Sequence, residues 1–358
     1  MISSPNIERS LMENAKRDHL RTFAGRVGFP DSEILIGLLD MMISDREAEW
    51  IAHLPGTPHD LAERLGQDEA EIAQGLADLY DRGLVLIEES PEGPRYITTE
   101  NPGWLMDLIL FDRRYVERYG EAFLDRWREF YNRELVHTYE HPDPEARPWR
   151  VIPIAEKVED SRSVLPFEQV AALVRQAERI SVQQCPCRVR ERACDNPLET
   201  CFAFDRVAEY HIRRGVGREL TVDEALDILK RCEELGLVHT TENTDRPTVI
   251  CNCCPCCCVF LRAITVHGKQ AVMEESRFQA VVDQEDCIAC GTCEERCHFG
   301  AIKRFEGPAQ VNAALCMGCG LCASACPVGA ITLVEVRDPS FIPKQQWSLL
   351  DEISPQGD

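Results

Sequence analysis

Two cysteine motifs with identical spacing lie near the C-terminal end of the chain. Residues 287–297 read CIACGTCEERC and residues 316–326 read CMGCGLCASAC, so both follow the pattern C-x2-C-x2-C-x3-C. Each cysteine of the first motif recurs at an offset of 29, and both motifs lead into the tripeptide GAI. Thiolates are soft ligands that suit iron and zinc, and a tight C-x2-C-x2-C loop brings three of them to one centre.

The duplicated motif resembles the bacterial-type ferredoxin with two [4Fe-4S] clusters, over about residues 280–335. In that family the fourth cysteine of each motif ligates the other cluster. The resemblance therefore implies two ligand sets, which are Cys287, Cys290, Cys293 and Cys326, and Cys316, Cys319, Cys322 and Cys297. Pro327 follows Cys326 as in the family, whereas His298 follows Cys297, a departure that removes no ligand. The alternative is that the two motifs form zinc knuckles, but these would leave some of the cysteines without a metal to ligate.

A third cysteine motif lies upstream, where residues 185–201 have the spacing C-x-C-x6-C-x6-C. Its members are Cys185, Cys187, Cys194 and Cys201. Four cysteines within seventeen positions can enclose a [4Fe-4S] cluster or a zinc ion, or remain buried free thiols. The ferredoxin-like region on the same chain favours a further iron–sulfur cluster, but the spacing alone does not choose between the metals.

The densest cysteine segment is CNCCPCCC, residues 251–258, with six cysteines in eight positions. These are Cys251, Cys253, Cys254, Cys256, Cys257 and Cys258. One cubane needs four ligands, and a strand sends neighbouring side chains to opposite faces, so the six do not all bind one cluster. Some of them ligate a separate cluster, combine with the third motif in a larger or paired centre, or act as reactive thiols. The whole pattern resembles iron–sulfur proteins of anaerobes without an established activity, which implies metal binding and no particular reaction.

Arginines surround the third motif, with nine Arg against six Asp plus Glu between residues 175 and 218. Arg188, Arg190 and Arg192 can offset the charge of a thiolate cluster or hold an anionic ligand, or they form ordinary surface ion pairs. Cys232 lies among apolar positions of a predicted helix and is expected to be a core thiol. His211 and His239 are expected to be hydrogen-bonded rather than ligands.

Composition limits the classes of protein that remain. All 19 cysteines fall at or beyond Cys185, and no secretory signal precedes them, so we expect reduced thiols in the cytoplasm rather than disulfides. The formal net charge of −22 argues against a nucleic-acid partner. No segment approaches the roughly 20 apolar residues of a membrane-spanning helix, so membrane insertion is not expected.

The elements upstream of the cysteines are predicted from hydrophobic periodicity. Residues 57–99 read as two short helices followed by two strands joined by the turn SPEG, and this order resembles a winged helix of the MarR or ArsR type. The segment from Asp31 to Glu100, however, contains 17 Asp plus Glu but only four Arg and no Lys. This excess of negative charge opposes DNA binding. We therefore expect an adaptor or structural role for this region.

We predict an α+β multidomain protein with an N-terminal winged helix, a mixed α/β cysteine-rich middle domain and a C-terminal ferredoxin-like dicluster domain. A long amphipathic helix is expected over residues 103–140, and a capped helix begins after Thr221. The predicted divisions are 1–100 for the winged helix with its preceding helices, 101–149 for a helical connector, 150–279 for the middle domain, 280–335 for the dicluster domain and 336–358 for a tail.

The function favoured by these features is low-potential electron transfer. Two [4Fe-4S] clusters would exchange electrons with a further cysteine-ligated centre or a partner oxidoreductase, whose surface complements the acidic chain. One alternative is a reductase acting on a small anionic substrate near Cys251–Cys258, and a weaker one is a redox-responsive transcriptional regulator. The sequence does not determine the partner, the substrate or the oligomeric state.

Overall fold

The computed structural model describes residues 5–90, 93–139, 147–304 and 306–344, and its fold class is α+β, as predicted. The chain divides into two compact units, of which the first ends at Leu135 and the second begins at Val136. We name them the N-terminal unit and the C-terminal unit. The five predicted domain divisions stay predictions; residues 140–146 of the predicted connector and 345–358 of the predicted tail lie outside the described residues.

The N-terminal unit contains eight helices and one two-stranded antiparallel sheet within the described residues. They are α1 Pro5–Arg26, α2 Glu33–Met42, α3 Asp45–Ala52, α4 Pro58–Leu65, α5 Glu69–Asp81, β1 Leu86–Ser90, β2 Gly93–Ile97, α6 Pro102–Leu110, α7 Arg113–Tyr119 and α8 Glu121–Arg133. Thr57 caps α4 and Gly66, with φ of 64°, ends it, which confirms that predicted helix. The helix–helix–hairpin order is present, but the relation to MarR or ArsR proteins stays a prediction, and turn residues 91–92 lie outside the described residues.

The single long helix predicted over residues 103–140 is wrong, because the segment forms the three helices α6, α7 and α8. Asp112 accepts a hydrogen bond from the backbone N–H of Arg114 and so starts a new helix at α7. Gly120, with φ of 70°, takes a left-handed conformation that breaks the chain again before α8. The apolar periodicity survives these breaks, since Phe123, Trp127 and Tyr131 are all buried.

The C-terminal unit is built on a six-stranded antiparallel sheet. Its elements up to the dicluster motifs are β3 Trp149–Val151, α9 Val170–Gln176, β4 Ile180–Gln184, α10 Pro186–Glu191, β5 Glu199–Phe204, α11 Asp205–Arg213, β6 Gly217–Glu219, α12 Val222–Leu235, β7 Val238–Glu242, β8 Val249–Cys253 and α13 Val259–Thr265. The strand order in the sheet is β3-β7-β8-β5-β4-β6. Thr221 and Glu224 form the predicted capping box at the start of α12, and Gly236 ends that helix. This part of the sequence-based assignment is confirmed.

The two faces of this sheet differ in chemistry. Phe202 and Ile250 belong to a hydrophobic core that α9 and α12 cover. Side chains alternate along a strand, so Cys201, Cys251 and Cys253 lie on the opposite face. Cys201 is paired with Cys251 in the β5–β8 register. The sheet thereby gathers on one face three thiols that are up to 52 residues apart in the chain.

The rest of the unit consists of β9 Phe278–Val282, α14 Thr292–Arg296, β10 Ile302–Lys303, β11 Gln310–Val311, α15 Leu321–Ser324 and β12 Ile331–Glu335. β9 pairs with β12 and β10 pairs with β11, both antiparallel. Fully buried Arg277, just before β9, donates to both carboxylate oxygens of fully buried Glu168 at 2.9 and 2.7 Å. No helix in the described residues has the length and apolarity needed to cross a membrane.

Candidate metal centres

The two C-terminal motifs adopt the same loop conformation. Ala289 and Gly318 occupy corresponding positions and have φ angles of 55° and 66°. Gly291 and Gly320, also corresponding, have φ angles of 88° and 85° and precede α14 and α15. The 29-residue sequence repeat is therefore also a repeat of backbone geometry, which turns three cysteines of each loop toward one point.

One cavity is lined by Cys287, Cys290, Cys293 and Cys326, which we name the outer set. Cys290 is exposed, and its thiol hydrogen-bonds with the hydroxyl of Thr292 at 3.4 Å, which lowers the Cys290 pKa. The exposed side chains of Ile288 and Val328 line the same cavity. The outer set is thus open to solvent on one side.

A second cavity is lined by Cys297, Cys316, Cys319 and Cys322, which we name the inner set. Burial raises the pKa of Cys319 to about 12. Each cavity combines three cysteines of one motif with the fourth cysteine of the other, the grouping that the ferredoxin resemblance implies. The donor chemistry of each cavity fits a [4Fe-4S] cluster, because four soft thiols surround the cavity and such a cluster takes four thiolates.

The loop of the inner set is fastened to neighbouring chain. Ile154 donates its backbone N–H to the carbonyl of Cys319 at 3.0 Å, and Ser276 donates its hydroxyl to the carbonyl of Gly318 at 2.8 Å. A Cβ atom on Gly318 would overlap the carbonyl oxygen of Phe278 and the hydroxyl of Ser276. Only glycine fits at this position, because of the close approach of β9 rather than the backbone conformation alone.

The residues that flank Cys297 contact the C-terminal end of α12. Arg296 donates to the carbonyls of Glu233 and Glu234, both at 2.6 Å. His298 donates from Nε2 to the carbonyl of Gly236 at 2.7 Å. Cationic and N–H donors at a helix C-terminus satisfy carbonyls that have no intrahelical partner. His298 stands where the ferredoxin motif has proline, and its side chain contacts the C-terminal end of α12.

The four cysteines of the third motif do not come together in the structure. Cys185 precedes α10 and Cys187 lies in its first turn, Cys194 lies in the following loop, and Cys201 lies in β5. Cys194 is hydrogen-bonded with Cys254 and Cys257, whereas the other three join a different group of thiols. The structure thus places thiols of the third motif beside thiols of residues 251–258, and the alternative in which they combine in one metal centre stays a prediction.

Six of the middle cysteines form a closed series in which each thiol influences the pKa of the next, and we name this series the six-thiol ring. In order around the ring they are Cys185, Cys187, Cys258, Cys253, Cys251 and Cys201, which in turn neighbours Cys185. Thr240, a residue that sequence reasoning did not single out, places its hydroxyl 3.4 Å from the Cys253 sulfur. The β5–β8 register and the turns that begin α10 and α13 bring these six sulfurs to one place.

The other four middle cysteines form a second group, which we name the four-thiol group. Its members are Cys194, Cys254, Cys256 and Cys257, whose sulfurs all lie within 4.8 Å of one another. A hydrogen bond from Cys257 lowers the pKa of Cys254 to about 5, and the Arg188 guanidinium acts in the same direction against the effect of burial. All ten middle cysteines of the two sequence motifs therefore belong to one group or the other.

Arg188 lies between the two groups and is 2% exposed, so it is not a surface residue. It donates to the carbonyls of Pro197 and Asn252, at 2.9 and 2.6 Å. Burial disfavours its charge, but Cys185, Cys254 and Cys201 reverse that effect and raise the Arg188 pKa. The interpretation of Arg188 as a partner of thiolates is thus favoured over surface ion pairing.

The remaining candidates are not placed as ligands. Cys232 is 1% exposed, and burial raises its pKa to about 12, as expected of a core thiol. His239 has both ring nitrogens in hydrogen bonds, with Asn252 at 2.6 Å and Glu233 at 3.1 Å. His211 is hydrogen-bonded with Gln183. These positions agree with the structural roles expected from the sequence.

Comparison with known families identifies one part of the chain. Residues 280–333 match the 4Fe-4S dicluster domain. This segment contains both cysteine sets, and together with the cysteine-rich region it makes the chain an iron–sulfur protein. No curated protein and no solved structure matches the chain.

Proposed function

We propose that the chain is an electron-transfer protein in which the outer and inner sets each hold one [4Fe-4S] cluster and the six-thiol ring holds a further iron–sulfur centre. When bound, the two [4Fe-4S] clusters would pass electrons one at a time between a redox partner protein and the centre in the six-thiol ring. The observation that carries the proposal is that the four thiols of each set line a single cavity.

The outer set is suited to contact with the partner. Around the exposed Cys290, the side chains of Ile288 and Val328 are 61% and 46% exposed and form a small apolar patch. Glu285 and Asp286 are exposed nearby in the same loop. An apolar patch with an acidic margin favours a partner that presents a basic surface around its own redox centre.

The inner set is suited to transfer within the chain. Its loop is held by Ile154, and the segment around Cys297 is held by the end of α12. Leu237, just beyond α12, packs against Cys254 and Cys257 of the four-thiol group. A continuous series of packed and hydrogen-bonded residues therefore runs from Cys297 to the middle cysteines.

The N-terminal unit is proposed to bind protein rather than DNA. Its acidic surplus between Asp31 and Glu100 would repel phosphates. An electrophoretic shift assay at low salt tests this, with oxidised and reduced protein both expected to leave DNA free. Retention of DNA by either form would favour the regulator.

The experiment that tests the proposed function combines metal analysis with spectroscopy on anaerobically purified full-length protein. The wild type is expected to hold about twelve irons, of which about eight belong to the dicluster domain. Cys253→Ser in the six-thiol ring should reduce the count to about eight and remove one EPR-active centre. Cys290→Ser and Cys297→Ser should each change the signal of a different dicluster centre.

The matched control is Cys232→Ser, which changes a buried thiol outside all four groups and should leave every signal in place. Reductive titration should take up about three electrons per chain in the wild type and about two in Cys253→Ser, since each centre accepts one. A wild-type content of about eight irons would show that the six-thiol ring holds no cluster. Loss of the same signal in Cys290→Ser and Cys297→Ser would contradict the two separate ligand sets.

A further inference from the structure

The four-thiol group has distances unlike those required by a cluster. The sulfur of Cys194 lies 3.8 Å from that of Cys254 and 3.7 Å from that of Cys257. The sulfurs of Cys256 and Cys257 are 3.8 Å apart. With all four sulfurs within 4.8 Å of one another, the group is a compact tetrahedron of thiols.

This spacing corresponds to one ion. A tetrahedral zinc site has metal–sulfur bonds of about 2.3 Å, which places its sulfurs about 3.8 Å apart along each edge. A cubane instead binds each cysteine through a different iron, so the body of the cluster holds the sulfurs farther apart. The observed separations match the single ion and leave no room for a cluster between the sulfurs.

We propose that Cys194, Cys254, Cys256 and Cys257 bind one Zn²⁺ ion in a closed tetrahedral site. Binding releases one proton from each thiol that is protonated beforehand and leaves a tetrathiolate complex with a net charge of about −2. With four protein ligands the ion has no free position, so the site is structural rather than catalytic. The site is separate from the clusters of the proposed function and does not depend on them.

Donors around the group are arranged to hold such a complex. Asn196 donates from Nδ2 to the Cys194 sulfur at 3.4 Å, and the backbone N–H of Ala193 lies near the Cys257 thiol. The buried Arg188 guanidinium lies near Cys254 and interacts with it electrostatically. N–H donors to the sulfurs and a buried guanidinium offset the negative charge of a tetrathiolate.

The consequence for the fold is a staple between distant parts of the chain. Cys194 lies in the loop after α10, whereas the other three ligands follow β8 some 60 residues later. Cys232 and Leu237 pack against Cys254 and Cys257, so the same ion would fix the end of α12. Both strands of the six-thiol ring, β5 and β8, are thereby held at their ends.

The test measures zinc and iron in full-length protein purified anaerobically from cells supplied with both metals. The wild type and the control Cys232→Ser should contain about one zinc per chain. Cys194→Ser and Cys256→Ser should lose most of it, by about tenfold or more, with the iron content unchanged. Equal zinc loss in Cys232→Ser, or zinc retained in both ligand variants, would overturn the assignment.

X-ray absorption at the zinc edge of the wild type keeps the test valid should the variants fail to fold. The expected spectrum has a single shell of four sulfurs and no metal–metal scattering. A metal–metal shell, or iron in place of zinc at this site, would overturn the proposal. Zinc and iron are counted separately, so failure here is distinguishable from failure of the proposed electron-transfer function.

Discussion

His298 donates a hydrogen bond from Nε2 to the carbonyl oxygen of Gly236 at 2.7 Å. His298 directly follows a cysteine of the inner set, and Gly236 ends the helix that packs beside the four-thiol group. The bond therefore joins the dicluster domain to the cysteine-rich region. Proline at this position, as in the ferredoxin motif, has no side-chain donor and could not make it.

Replacing His298 should separate this contact from cluster binding. His298→Pro restores the ferredoxin motif but leaves the Gly236 carbonyl without its donor, so the free energy of unfolding should fall by about 1 kcal/mol. Iron content should not change, because no ligand is lost. His298→Gln, whose amide can still donate, is the control and should lose less. Anaerobic urea denaturation measures both, and an equal loss in the two variants would contradict the role of the hydrogen bond.

The corresponding positions Gly318 and Ala289 offer a paired substitution. Gly318→Ala should destabilise the protein by about 1–3 kcal/mol and disturb the inner-set signal, because the new methyl group overlaps Phe278 and Ser276. Ala289→Gly relieves a left-handed alanine and should change stability by less than about 1 kcal/mol. Thermal unfolding and EPR measure the two effects. A tolerated Gly318→Ala would show that β9 does not constrain this loop.

Arg277 and Glu168 form a buried ion pair, and removing one partner should be costly. Arg277→Met leaves the Glu168 carboxylate buried without its bidentate donor, so we expect a loss of about 3–5 kcal/mol in unfolding free energy. The double variant Arg277→Met with Glu168→Gln should recover part of that loss, because the side chain at position 168 no longer carries a charge that needs Arg277. Additive losses in a double-mutant cycle would contradict the coupling of the two residues.

His211 should make stability depend on pH. Burial lowers its pKa to about 3, and Arg214 adds to this effect. The folded state thus holds neutral His211, and its contribution is complete above the ordinary pKa of about 6.5 and is lost as pH falls toward 3. Between pH 7.5 and 5.5 the wild type should lose about 1 kcal/mol more unfolding free energy than His211→Asn, which keeps an acceptor for Gln183. Parallel losses in urea titrations would contradict this.

Several elements were predictable because their signals are local. The start of α12 follows from Thr221 and Glu224, whose capping box needs only four consecutive residues. The repeated loops follow from the motif spacing, since three cysteines and a glycine within seven positions define one turn. The prediction of a single helix over residues 103–140 was wrong, because the apolar periodicity of this segment continues through breaks at Asp112 and Gly120.

The grouping of the middle cysteines was not predictable from spacing. Cys194 stands midway in the third motif, yet its partners are Cys254, Cys256 and Cys257. Strand alternation does indicate that Cys251 and Cys253 share a face, but not that Cys201 lies opposite Cys251. That register depends on how β5 and β8 pack over α9 and α12, and the motif does not contain this information.

The sequence by itself determined the chemistry of the chain. Three features indicate thiolate ligands for iron, namely the cysteine content, the absence of cysteines before residue 185 and the repeated motif. Only the tertiary structure decided which sulfurs meet. Metal-binding geometry depends on distances between side chains, and for Cys194 and Cys254 a 60-residue separation in sequence becomes 3.8 Å in space. Long-range strand register and helix packing set that distance, and neither is encoded in the spacing of a single motif.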